Sequence, residues 1–492
     1  MSETSDGVQA GDARAVGDPG SGDSLLEREA LHYIRELIRI DSVNTGDLRT
    51  ISDGETRAAR LVQSALAEAG LESELVESTP GRGSVVARLR GAGPDGGPPE
   101  RGALVVHAHL DVVPVEGQDW RHPPFGAEIH DGLLYGRGAV DMKNFAGVLV
   151  AVARSFAREG FVPPRDLVFA FFADEEAGGT WGAKWLVEHR PDLFAGAIEA
   201  LSEVGGFSVP ILPGPTDAPT ATGSPAPAGS KAPDAAGCPN RPRRAYLVAT
   251  AEKGVAWARI TARGRPGHGS RPTPDNPVVR IGRAVAAIGD HRFPFTRTPA
   301  LEVFLQRFGE ARGQAFPDAA ADVEAELAEL GFTGSLLGAG ARDTASPTVL
   351  DAGSKTNVIP GVASASLDLR VLPGHEESFV EQLRGVVGDD VELEVSTWIA
   401  PIASPVDAPI VAAMQRAIEA DDPDGLVVPY LLPASTDNKH LSRLGIAGYG
   451  FVPLRVPDGF DVFGQFHTAD EHVPVEALAF SARVTERLLR LA

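Results

Sequence analysis

Cysteine is almost missing from this chain: Cys238 is the single one among 492 residues. One thiol excludes an intramolecular disulfide and any thiolate-cluster metal site, and it fits a reducing, cytoplasmic setting. Basic residues are also scarce, with 45 Lys plus Arg against 67 Asp plus Glu and a formal net charge of -22. That balance argues against a sequence-independent grip on nucleic acid or on an anionic membrane surface. The sequence contains no uninterrupted apolar run long enough to span a bilayer. Its opening residues, MSETSDGVQAGDARAVGDPGSGDS, have neither a basic start nor an apolar core. A soluble protein that is not exported is the expectation.

What is present is an apolar content of 43%, enough for two cores in a chain of this length. Residues 1–24 are rich in Gly, Asp and Ser and are expected to form a disordered tail, because they offer little apolar surface to offset the entropy of ordering. From Leu25 the spacing of Leu31, Ile34, Leu37 and Ile38 predicts a helix, and TRAARLVQSALAEAG predicts a second one stopping at Gly70. Two apolar runs without alternation, Gly102 to Asp111 and Asp166 to Glu176, read as strands covered on both faces. The stretch KNFAGVLVAVARSFARE between them reads as a helix ending before Gly160.

Strands alternating with helices predict an α/β sandwich on a mostly parallel sheet. Residues 210–244, rich in Pro, Ala and Gly, read as a solvated loop. Beyond them the texture changes to alternating strands and short helices, a compact α+β insert over residues 254–397. The first style returns in 398–492. The expected division is therefore a larger unit in two parts, 25–253 and 398–492, interrupted by the insert.

Ionisable residues gather where the predicted strands end. His109 and Asp111 lie two apart, on one face of an extended segment. Tyr135 to Asn144, YGRGAVDMKN, leads through glycines to Asp141. It lacks the third glycine of a nucleotide fingerprint, and Asp141 taken alone reads equally as a helix cap. Three like charges follow a strand at Asp174, Glu175 and Glu176, and Glu203 and His467 complete the set. Each has a bland reading as a solvated charge or surface histidine. Together they suit two borderline-soft divalent ions sharing a bridging carboxylate.

In order and spacing, HAHLDVVP, GRGAVDMKN, DEEAGG, SEVGG and FHTADEHVPVE resemble the M20 family of di-zinc metallopeptidases and amidohydrolases. Within it the pattern is nearest the carboxypeptidase S-like and aminoacylase-like branches. The resemblance implies a catalytic α/β domain interrupted by a lid that also serves for dimerisation, so that a homodimer is expected. It implies two Zn2+ ions, with Co2+ or Mn2+ as substitutes. Asp141 would bridge them, His109 and Glu203 would complete one site, and Glu176 and His467 the other. Asp111 would orient His109. Glu175 would be the general base, taking a proton from the metal-bridging water as it attacks the scissile carbonyl. One departure is Val204, which separates Glu203 from a Gly-Gly pair that the family commonly has directly after the Glu.

The stretch GRPGHGSRPTPDNP resembles the family's lid motif, which implies that His268 reaches the partner subunit's site and helps stabilise the oxyanion. GSKTNVIPG and ASLDLRVLPG resemble substrate-side segments and point to Asn357 and Arg370. Arg370 reads either as a fork for a terminal carboxylate or as half of a surface salt bridge. Asp437 and His440 lie in a segment that the family places near its site. Trp181 and Trp185 read as a pocket wall or as packing, and His122, His130, His189, His291 and His472 are given no role.

The expected function is hydrolysis of an amide bond beside a free carboxylate, in a dipeptide, a peptide C-terminus or an N-acyl amino acid. A di-zinc aminopeptidase and a non-catalytic binding relative are the alternatives.

Overall fold

The computed structural model describes residues 24–93, 96–212 and 244–492. The expected tail and most of the expected 210–244 loop, with Cys238, lie outside the described residues.

The predicted helices form at Leu25–Ile38, Gly54–Glu68 and Lys143–Glu159. Ser24 and Glu27 close a capping box at the start of the first, satisfying end groups that the helix leaves open. Gly160 ends the third in the left-handed region at φ 62°, where a side chain would be strained. Asp141 is not the cap of that helix: the cap position is Met142, and it makes no side-chain cap bond.

A ten-stranded sheet carries the larger body. At its centre Ala103–His109 runs parallel to both Leu167–Phe172 and Ala197–Ser202, and the last is parallel to Ala447–Gly450. Further along, Arg244–Glu252 pairs in parallel with Gly425–Leu432. The edges add antiparallel strands: Gly83–Leu89 with Ser73–Glu77 on one side, Ile402–Ala403 on the other. All residues of Ala103–His109 and Leu167–Phe172 are buried, as expected of strands covered on both faces. Their Val, Leu and Phe side chains contribute roughly 1.5–3 kcal/mol each on burial.

The insert forms a separate antiparallel sheet in the order Thr344–Asp351, Val362–Val371, Gly254–Arg263, Glu392–Ile399. Helices Pro277–Asp290 and Glu376–Val387 cover one face of it and share a core of their own with Ile260, Ala284, Leu367 and Phe379.

Residues 299–341 do not follow the expected 254–397 unit. On helix Pro299–Arg312, Leu301, Phe304, Leu305 and Phe308 repeat at helical spacing and are all buried in the larger core, with Val323, Leu327, Leu336 and Leu337 from the next two helices. The Arg307 guanidinium reaches the Val427 carbonyl at 3.4 Å. The middle of the insert thus packs back on the large sheet. Among the described residues, no helix is long and apolar enough to cross a membrane.

Candidate metal centre

Because the three central strands are parallel, their carboxyl ends lie along one edge, where such sheets bind ligands. His109 is the last residue of its strand, Glu175 and Glu176 open a single helical turn after Leu167–Phe172, and Glu203 directly follows Ala197–Ser202. Asp141 comes from the glycine-rich turn before the buried helix, and His467 from the loop before the short strand His472–Pro474.

The structure brings these five side chains together. Asp141 turns one oxygen to each histidine: Oδ1 lies 3.0 Å from His109 Nε2 and Oδ2 3.2 Å from His467 Nε2. Glu203 Oε2 stands 3.5 Å from His109 Nε2, and Glu176 Oε2 3.3 Å from His467 Nε2. Two donors sharing one tetrahedral ion with bonds of about 2.0 Å stand ~3.3 Å apart, so this spacing and this nitrogen and oxygen set fit two divalent cations. His109 is 1% exposed, whereas the His467 side chain is 55% exposed and lies at the mouth.

The electrostatics agree. Burial, then the charge of Asp141, pushes Glu176 up to about 8, and burial raises Glu203 to about 8 against the pull of His109. Hydrogen bonds to Asp141 and Glu176 push His467 up to about 10. Burial opposes protonation of His109, but the Glu203 charge and bonds to Asp111 and Asp141 overcome it. Burial would raise Asp141 too, yet its bonds to both histidines hold it below the usual range. The cluster therefore retains protons that a cation must displace. Loading with Zn2+ at pH 7 is expected to release protons, and affinity is expected to climb as pH rises through about 8 toward 10. A titration in weak buffer that shows no proton release would contradict this.

Behind these side chains lies a frame of buried polar groups. His109 Nδ1 donates to the Asp111 backbone carbonyl at 3.0 Å, with the Asp111 carboxylate slightly farther at 3.4 Å. That carboxylate accepts the backbone N–H groups of Glu175 and Glu176 at 3.1 and 3.0 Å, and the Asn44 amide at 2.9 Å. Asp111 thus holds the Glu175–Glu176 turn as well as the histidine. Asp174, in the left-handed region at φ 68°, accepts from Asn44 and from the Trp181 N–H and faces Arg82 at 3.5 Å. Arg82 also pairs with Glu55. The first of the three acids is thus part of a buried ion network and supports the turn.

Val204, the residue separating Glu203 from the glycines, also takes a left-handed φ of 56°, and its carbonyl accepts from the Tyr430 hydroxyl at 3.0 Å. The glycines are required where they stand: a Cβ at Gly205 would lie 2.1 Å from the Gly450 carbonyl oxygen.

Further neighbours, two of which, Lys439 and Glu471, carry no sequence signal of their own, complete the surroundings. The Lys439 ammonium donates to Glu175 Oε1 at 3.1 Å. Burial would lower the pKa of Lys439, but the charges of Glu175 and Asp437 outweigh it and raise it. Asp437 is buried beside this pair with neither carboxylate oxygen bonded, and burial drives its pKa well up. Glu471 accepts the backbone N–H groups of Gly138, Val140 and Asp141 and pairs with Arg137 at 2.9 Å, fixing the turn that presents Asp141. Glu471→Gln is expected to weaken metal binding by roughly 10- to 100-fold, as loss of a supporting partner commonly does. Competition with a chelating dye measures this, and an unchanged affinity would refute the assignment.

His107 bonds Asn438 Oδ1 at 3.0 Å, and His440 the Gly178 carbonyl at 3.0 Å. Burial pulls both imidazoles down, to about 4 and about 3, so both are neutral supports.

His268, Asn357 and Arg370 lie elsewhere. His268 and Asn357 meet on an exposed two-stranded ribbon in which His268 pairs with Val358 and Gly269 donates to the Asn357 carbonyl at 2.9 Å. Arg370 grips Asp368 with two bonds, at 2.7 and 3.1 Å, on its own strand. Among the described contacts, none of these three reaches the cluster.

Residues 105–491 match the model of peptidase family M20/M25/M40. The chain is 29% identical to aminoacylase-1 of Pongo abelii over 78% of each chain. It is 26% identical to a probable carboxypeptidase S-like 2 of Dictyostelium discoideum, over 76% of this chain and 68% of that one. Its fold overlays an M20 family metallo-carboxypeptidase from Sulfolobus solfataricus with a TM-score of 0.64 at 16% identity, covering 94% and 99% of the two chains. With a match across most of its length and ligand-competent residues at the strand ends, this chain belongs to peptidase family M20/M25/M40, a family of metal-dependent amide hydrolases.

Proposed function

We propose that the protein hydrolyses an amide bond adjacent to a free carboxylate, in a dipeptide, at a peptide C-terminus or in an N-acyl amino acid. The observation that carries this reading is Asp141, each of whose oxygens faces a different imidazole, with Glu176 and Glu203 closing the two sides. His109, Glu203 and Asp141 would hold one cation, and Glu176, His467 and Asp141 the other. Zn2+ suits these donors, and Co2+ or Mn2+ would be accepted. Metal bound there supplies Lewis acidity, polarising the carbonyl and making water a better nucleophile.

The rest falls to the chain. Glu175 takes the proton of the attacking water and passes it to the leaving amine nitrogen. Lys439 holds the Glu175 carboxylate in place, and Asp111 fixes the turn through two backbone N–H groups. The preference for a carboxylate-bearing substrate draws on Arg370, whose fork would have to exchange Asp368 for substrate, and on the aminoacylase and carboxypeptidase relatives.

Stripping metal with a chelator is expected to abolish activity and Zn2+ or Co2+ to restore it. Restored enzyme is expected to release amino acid from N-acetyl amino acids or from dipeptides. Release only from amino-acid amides with a free amino group and no carboxylate would overturn the substrate class in favour of an aminopeptidase.

The exposed His268–Asn357 ribbon is assigned to the site of a second copy, joined through the 254–397 lid. Mixing two inactive variants, Glu175→Gln and His268→Ala, would then regenerate sites with both residues intact. Partial recovery of activity is expected, and none is expected if each subunit is self-sufficient.

A further inference from the structure

Outside the strand-end cluster, His122, Glu128 and His130 converge on the surface. Glu128 and His130 occupy alternate positions of the short strand Glu128–His130, so both side chains leave the same face. His122 arrives from the preceding loop, and its ring stacks on that of His130 with centroids 4.2 Å apart and planes inclined by 25°. One carboxylate oxygen serves both rings: Glu128 Oε2 lies 2.8 Å from His130 Nε2 and 4.0 Å from His122 Nδ1. One donor atom from each residue falls within 4.8 Å of the others.

The frame beneath is fixed. The His122 N–H donates to Asp470 Oδ1 at 3.3 Å, beside the Arg121 N–H at 2.8 Å, and the Tyr135 ring packs on His122 at 4.2 Å. The strand itself pairs with Leu133–Tyr135, which in turn pairs with His472–Pro474. Two imidazoles are thus held face to face around a carboxylate before any ligand arrives. A single Glu–His contact accounts for the 2.8 Å distance but not for the second ring, which stacks on the first with Nδ1 4.0 Å from the same carboxylate oxygen.

We propose that His122, Glu128 and His130 form a surface site for a borderline divalent cation such as Zn2+, Cu2+ or Ni2+, separate from the centre at Asp141. Two neutral imidazoles and one carboxylate are the donor types these ions take, and unlike Ca2+ or Mg2+ they do not demand an all-oxygen shell. Three protein donors leave a coordination position to solvent. No donor residue is common to this trio and the strand-end cluster.

The test is metal stoichiometry on full-length protein, stripped with chelator, dialysed against Zn2+ and analysed for bound metal. The parent is expected to bind one equivalent more than His122→Asn/His130→Asn, and Glu128→Gln, which loses one of three donors, to bind the extra ion at least about tenfold more weakly, the least that even loss of an outer-shell partner costs. Cu2+ added to Zn2+-loaded protein is expected to give a resonance spectrum split by imidazole nitrogen, absent in the double variant. Turnover is expected to be unchanged, since these side chains lie off the reaction path. Identical stoichiometry and identical copper spectra in parent and double variant would overturn the proposal. The parallel variant Asp141→Ala isolates the other reading: if it binds as much metal as the parent while the histidine variant loses one equivalent, the centre fails and the surface site stands.

Discussion

Glu175→Gln is expected to lower kcat by about 10²- to 10⁴-fold, the range associated with general-base catalysis, while the protein keeps its full metal complement. One Glu175 carboxylate oxygen lies within 4.8 Å of donor atoms of His109 and Glu203. Its nearest charged partner is Lys439, at 3.1 Å. Glutamine has nearly the same shape and can still meet Lys439 through its amide oxygen, so the turn held by Asp111 is expected to persist. What is lost is the ability to take and return a proton. Metal analysis beside steady-state kinetics separates the outcomes. Activity within a few-fold of the parent would remove Glu175 from the reaction, and loss of metal would make it a ligand instead.

Arg82→Met is expected to destabilise the fold by about 3–5 kcal/mol, the usual consequence of removing one partner from a buried ion network. Arg82 is 2% exposed and stands between Glu55 and Asp174, both buried, while its guanidinium also bonds Asn44 Oδ1 at 2.7 Å. Burial already raises the pKa of Asp174, with the Asp111 charge adding to it, and Arg82 is among the groups opposing that shift. Without the cation, two buried carboxylates lose the positive charge that compensates them. Denaturant unfolding measures the loss, and a variant as stable as its parent would show that the network is not held by charge. The same variant is expected to reduce activity, because Asn44 connects Asp174 to Asp111 and so to the Glu175 turn.

The candidate ligands were legible in the sequence because their chemistry tolerates few residue types and because parallel strands send their ends to one edge. The helices were legible for a related reason, since a repeat at helical spacing followed by Gly160 leaves little choice. What escaped were partners whose meaning depends on distant chain. Lys439 sits between Asp437 and His440 in PASTDNKHL, but nothing local announces that it will face Glu175, 264 positions away. Glu471 reads as one more acid in FHTADEHVP until it is seen to collect three N–H groups from the turn that carries Asp141. Leu301, Phe304, Leu305 and Phe308 state that a helix face is buried, not which core buries it. For that reason residues 299–341 could be read as part of the insert when they pack on the large sheet. Asp174, an unexplained charge in the sequence, acquires a role only once Arg82, Asn44 and Glu55 are folded around it.

The order of the donors along the chain has a temporal side. His109, Asp141, Glu176 and Glu203 all precede the insert that begins at Gly254, and His467 follows it. A nascent polypeptide therefore displays one imidazole and three carboxylates well before the second imidazole exists. The sheet is also incomplete at that stage, because Gly425–Leu432 and Ala447–Gly450 have yet to be made. During synthesis the five-residue cluster at the strand ends is therefore completed only after residues 254–397 have been made.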